Sequence, residues 1–270
     1  KKLVDVHNVD VIYCDLTTVA NAIVSISKEQ RKVLVAAVYL ADLPQRSPYA
    51  VRNLPRGIDE SRLLLGYLKD SHPTATKAAA VGSNDEFGRS SLDDFKKAAL
   101  ETNVNIIFED MIPDAEQQIA SFAQKIAASG PEAVYAASLL PNLGLLVKEL
   151  RVAGFKGEIL TTDAFAYPYI QTAAGQYAKD TVYVDFPTTE AANQFASSYK
   201  QLFSHDLPPS AVLCHDGLSI IIDACNASPD STPTQVVEQK LNGMKYSGVY
   251  GELIVTNREI IYPLVVKVAK

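Results

Sequence analysis

A chain of 270 residues that is 47% hydrophobic and 21% charged can bury one large core, or two of about 120 residues each, and is not a largely disordered protein. A net charge of −6 and a pI near 5.3, with no Lys/Arg cluster, exclude a surface built for the nucleic-acid backbone. Apolar runs such as 218–224 stop well short of the roughly 18 residues that a membrane-spanning helix needs.

In chain order, β-rich runs alternate with helical patterns, as βαβ units and a parallel sheet require. A strand at 9–13 leads into a helix at 18–28, and a strand at 33–38 is followed by a helix at 59–69. From there the alternation is unbroken: strands at 77–81, 105–109, 133–137, 158–161 and 181–184, with helices at 89–101, 114–128, 142–153 and 167–174. Three helices at 190–203, 210–227 and 234–242 then run nearly together, and short strands near 251–255 and 262–268 close the chain.

The helix at 89–101 carries Leu92, Phe95, Ala98, Ala99 and Leu100 at helical spacing, with Asp93 and Lys97 placed as an i,i+4 pair. It is entered through "SNDEFG", residues 83–88, at the carboxyl end of a strand, where ligands sit in parallel α/β sheets. Gly88 is expected to let the backbone turn into the helix. Phe87 either stands over the sheet end or folds back on its own helix.

No phosphate-binding glycine loop, dinucleotide turn or GxSxG elbow is present. The four histidines lack metal-ligand spacing, and Cys214 and His215, adjacent on one predicted helix, point about 100° apart and form no dyad. Neither a metal nor a cofactor is expected. Of three cysteines, Cys214 and Cys225 lie too far apart on that helix to bridge, so buried free thiols are expected. What remains is polar: Thr17 and Thr18 open a helix, where hydroxyls and free N–H groups can take a carboxylate, and Asp163 follows a strand where an acid can meet an ammonium. Thr17 and Asp163 could equally be plain helix caps.

Asp85-Glu86-Phe87-Gly88, then Pro131 to Val134, then Arg151 to Phe155 form an ordered pattern. It resembles the type I periplasmic binding proteins, specifically the branched-chain amino acid class of ABC-transporter solute receptors. The resemblance implies two doubly wound parallel-sheet lobes joined by a three-strand hinge, lobe 1 holding 1–53 and 187–259 and lobe 2 holding 54–186 and 260–270. It implies a small-molecule ligand, an amino acid or related carboxylate, in the cleft between the lobes. The implied partner is a membrane permease, and the implied location is periplasmic or extracellular. Thr17 falls at the family's hydroxyl for the ligand carboxylate and Asp163 at its acid for the amine, with Thr18 beside the first. Phe87 stands where Tyr is usual, Tyr39 near a position usually small or Thr, and Leu139 where an aromatic is common, so the pocket is expected to be altered. Arg52 is expected as an ion-pair partner near a crossing, with no ligand role.

Family members carry two further β-α units before the segment that residues 1–13 resemble. A longer natural product, a rearrangement or another chain is therefore expected to fill the gap. No enzymatic activity is expected, since no nucleophile and base are paired. The competing functions are a ligand-sensing module of the same fold in a signalling protein and a structural domain that binds nothing.

Overall fold

The structure is a computed structural model that describes residues 2–270. Its elements in chain order are α1 (Lys2–Asp5), β1 (Val11–Cys14), α2 (Thr17–Gln30), β2 (Val33–Ala36), α3 (Leu43–Arg46), β3 (Ala50–Arg52), α4 (Gly57–Ser71), β4 (Lys77–Ser83), α5 (Glu86–Glu101) and β5 (Asn105–Ile112). Then come α6 (Glu116–Ala128), β6 (Ala133–Ala137), α7 (Asn142–Val152), β7 (Glu158–Thr161), a 3₁₀ turn (Asp163–Ala166), α8 (Pro168–Ala174), a second 3₁₀ turn (Gly175–Ala178) and β8 (Thr181–Asp185). The chain ends with α9 (Glu190–Phe203), α10 (Pro209–Asn226), α11 (Pro233–Gln239), β9 (Lys245–Gly248), β10 (Gly251–Thr256), β11 (Glu259–Ile261) and β12 (Val265–Val268). These fall into two compact units, Lys1–Pro55 with Phe186–Pro263 and Arg56–Asp185 with Leu264–Lys270. The fold is α/β with two lobes, each built on its own sheet.

The sheet of the second unit runs β12-β8-β7-β6-β4-β5, all parallel except β12 against β8. From β4 the chain steps outward to β5, then returns to the other side of β4 for β6 and continues away from it. The order reverses between β4 and β6, which makes the carboxyl ends of those two strands a topological switch point. β6, Ala-Val-Tyr-Ala-Ala, is buried at every residue, as a strand covered on both faces must be. Ile119, Phe122 and Ile126 of α6 and Leu143, Leu146 and Leu150 of α7 pack with Val81, Val134 and Ile159 in one core. Phe95 of α5 stacks on Tyr135 with centroids 4.1 Å apart and planes 5° from parallel.

The sheet of the first unit runs β1-β2-β3-β11-β10-β9. β1, β2, β3 and β11 are parallel neighbours, but β10 and β9 return antiparallel. The loop between β10 and β11 is the pair Asn257 and Arg258, at φ 52° and 61°, the left-handed conformation at both central residues that a two-residue type I′ hairpin demands. β1 pairs with β2 and ends the sheet on that side.

Several expectations need correction. The strand placed at 262–268 is shorter: only Val265–Val268 forms a strand, β12, while the three residues Glu259–Ile261 before it form β11, which was not expected; between them stands Pro263, whose ring leaves no N–H for a ladder and where the chain leaves the first unit. The stretch around Arg52 is not only a connection, because Ala50–Arg52 forms β3 between β2 and β11. The helix placed at 167–174 is preceded by a 3₁₀ turn and starts at Pro168. Lys97 pairs with Asp94 and Lys96 with Asp93, both at i,i+3, in place of Asp93 with Lys97.

Candidate functional site

In the first unit the candidates sit where β1 and β2 end. α2 begins at Thr17, and its N-cap, Leu16, has no side chain able to cap it. The first intrahelical bond runs from the Ala20 N–H to the Leu16 carbonyl at 2.9 Å. The N–H groups of Thr17, Thr18 and Val19 therefore have no acceptor within the helix, and the positive end of the dipole lies with them. Thr17 is not a helix cap: its side chain is buried, and its Oγ1 accepts the backbone N–H of Tyr39 at 3.3 Å. That bond joins the loop after β2 to the start of α2. It also occupies an acceptor site of the hydroxyl and leaves its hydrogen to be donated elsewhere. Thr18 is exposed, and Tyr39 is buried.

In the second unit Phe87 follows β4, Leu139 follows β6 and Asp163 follows β7, so the three stand at the carboxyl ends of adjacent strands, the first two at the switch point. Asp85 caps α5: its Oδ1 accepts the Gly88 N–H at 2.8 Å and the Ser83 hydroxyl at 2.9 Å. Gly88 does not supply a left-handed turn. A Cβ there would lie 2.1 Å from the Ser83 carbonyl oxygen, so glycine is needed for the close approach of the first turn of α5 to the end of β4. Phe87 is buried. Asp163 is half-buried and is not the cap of its turn, because the Thr162 side chain accepts the Ala164 N–H at 3.3 Å.

Two residues at this end were not singled out in the sequence. The Tyr169 hydroxyl donates to the Leu139 carbonyl at 2.7 Å, bridging the loop after β6 to the start of α8. The ring of Tyr167 lies 5.5 Å from that of Tyr169. Burial raises the Tyr169 phenol above its ordinary range, which keeps it a donor. The signal was there: "DAFAYPY" at 163–169 places three aromatic residues directly after a strand-end acid.

Among the described residues no group of three His, Cys, Asp or Glu side chains could hold a metal ion. The three cysteines are free thiols, each raised by burial and so weakly nucleophilic at neutral pH. His215 Nδ1 lies 2.9 Å from Asp216 Oδ1, and its ring packs on Phe195.

Two α/β units, each with its candidate residues at the carboxyl ends of parallel strands, are the architecture of a type I binding protein. The chain belongs to the periplasmic binding protein family, whose model matches residues 1–261. A Leu/Ile/Val-binding protein homolog of Brucella abortus is 20% identical over 189 residues, 69% of this chain and 51% of that protein. The chain thus spans about half the length of the curated relatives it matches. Among solved structures, a leucine binding protein from Thermotoga maritima superposes at a TM-score of 0.88 and 16% identity, covering 100% of this chain and 79% of that one. An ABC-transporter solute binding protein from R. palustris in complex with 4-hydroxybenzoate gives 0.87 and 17%, covering 100% and 76%. At these identities the structural matches speak to the fold.

Proposed function

We propose that the chain is the extracytoplasmic solute receptor of an ABC transporter and that its ligand is a small carboxylate, foremost an amino acid with an apolar side chain. The observation that carries this is the uncapped start of α2, where three N–H groups without an acceptor in the helix and the Thr17 hydroxyl, which already accepts one N–H, gather donors at one place. Such a gathering of donors at a helix start suits an anionic oxygen. Asp163 in the second unit is the matching group for an ammonium, and the partly exposed Leu139 supplies apolar surface there, with Phe87 buried. Relatives named for leucine, isoleucine and valine support the amino-acid reading, while neighbours solved with benzoates keep the carboxylate as the shared feature. Membership of the same family supports delivery to a membrane permease as the chain's role, and no helix among the described residues is long and apolar enough to cross a membrane.

Calorimetric titration with leucine, 4-hydroxybenzoate and isopentylamine tests the reading. Leucine is expected to bind tightest, the benzoate more weakly and the amine not at all. A ligand at 100 times its Kd adds about 2.7 kcal/mol of stability, so a thermal melt gives an independent check. Binding of the amine in preference to both carboxylates would reject the proposal.

A further inference from the structure

The second unit has a groove of about 780 Å³ at the end opposite its candidate residues. It opens where β4, β6 and β7 begin and where α4, α6 and α7 finish, and its size lies within the range of small-molecule sites. Ala75, Ala127, Ala128 and Ala153 leave the space unfilled, and Phe155 with Pro131 gives it an apolar floor.

Its walls carry two carboxylates, Glu132 and Glu158, beside His72 and Lys156. Three helix carboxyl ends converge on it, each carrying the negative end of a dipole. The two carboxylates join them. Glu132 Oε2 accepts the N–H groups of Thr76 at 2.8 Å and Lys77 at 2.9 Å. The Thr76 N–H foremost holds this acid below the usual carboxylate range, so it is ionised at neutral pH. Glu158 Oε1 is placed by His72 Nε2 at 2.8 Å. Of the cationic groups nearby, Arg151 is turned to the carbonyls of Phe155 and Gly157 at 3.1 and 2.8 Å, Lys69 donates to the Ala75 carbonyl, and Lys77 and Lys156 stand exposed.

We infer that this groove is a second binding site, for a primary alkylammonium whose charged head lies between Glu132 and Glu158 and whose short chain covers Phe155. The chemistry is opposite to that of the donor-lined start of α2, so the inference stands independently of the proposed carboxylate site.

The test is titration of the full chain with n-pentylammonium and, in parallel, pentanoate, followed by the amide resonances of Gly154 and Gly157. The expected result is a saturable shift with the ammonium and none with pentanoate. Ala128→Trp, which fills the groove from the exposed end of α6 and leaves both carboxylates in the sequence, is expected to abolish the shift. Glu132→Gln is expected to raise the Kd about tenfold through loss of a charge-assisted contact. Thr17→Val is expected to leave the titration unchanged. Equal shifts from both probes, no shift from the ammonium, or an undiminished shift in Ala128→Trp would overturn the inference.

Discussion

The two sheets each have six strands, yet they mark a candidate binding end in different ways. In the second unit the strand order reverses between β4 and β6, so topology alone points to the loops that carry Phe87 and Leu139. In the first unit β1, β2 and β3 are laid down in one direction and the sheet then turns over into a hairpin, so no switch point marks the place. What marks it is local: an uncapped helix start and one hydroxyl bonded to a neighbouring loop. Two routes to a site, one topological and one electrostatic, coexist in one chain and fail under different substitutions.

The largest expected effect lies at the seam of the first sheet. Arg52 of β3 and Glu259 of β11 are opposite each other in register and pair at 2.8 Å, with the Arg52 side chain only 1% exposed. Arg52 Nη1 also donates to the Pro55 carbonyl at 3.0 Å, and Nη2 is buried without a hydrogen-bond partner. Arg52→Met is expected to cost about 3 kcal/mol or more in urea unfolding, because it strands Glu259, whereas the double change Arg52→Met with Glu259→Leu recovers most of the loss. A single variant as stable as the parent would show that the pair does not hold the parallel strands to the hairpin.

Next in size is the equivalent break in the second unit. Gly88→Ala is expected to destabilise by about 2 kcal/mol through collision with Ser83, and to weaken ligand binding by displacing Phe87. Gly66, inside α4 with open space at its Cβ position, is the control: Gly66→Ala is expected to stabilise by about 0.5–1 kcal/mol. Like signs for the two changes would remove the close-approach argument.

The alternation of strands and helices from β4 to β8 was legible because each element there is long, apolar and closed by turn residues. β3 was not: three residues read as a connection until β2 and β11 flank them. The break at Pro263 was equally hidden, since Ile260 to Val268 is largely apolar on both sides of it and only the pairing of β12 with β8 separates that strand from β11. For the site, Thr17 and Asp163 were visible as residue types at strand ends. The Thr17–Tyr39 bond was not, because it joins loops 22 residues apart whose approach is set by the sheet. Tyr169 escaped for the same reason, as its partner is a backbone carbonyl 30 residues away.

A smaller expected effect separates the two routes at the level of binding. Thr17→Val removes the donor and the acceptor together and is expected to weaken every carboxylate by about tenfold, leucine and benzoate alike. Asp163→Asn is expected to weaken leucine by a similar factor and to leave 4-hydroxybenzoate unchanged. Titration of both variants with both ligands reads the two units separately. If Asp163→Asn weakened the benzoate as much as leucine, the acid would be supporting the loop and not meeting an amine.

The smallest effect is one of pH. Asp216 of α10 is fully buried, accepts the Val249 N–H at 3.0 Å and faces His215, and burial raises its carboxyl above the ordinary aspartate value despite those contacts. A carboxyl whose folded pKa lies above its unfolded one favours the folded state when protonated. Its stabilising contribution is complete below the unfolded pKa, near 4, and is lost as pH rises through the raised folded value. Asp216→Asn, which keeps an oxygen for Val249 but cannot ionise, is expected to become more stable relative to the parent as pH climbs from 4 to 7, by less than about 1 kcal/mol. Parallel urea midpoints across that range would sink the idea, and with it the view that the first unit carries a strained acid at its hairpin.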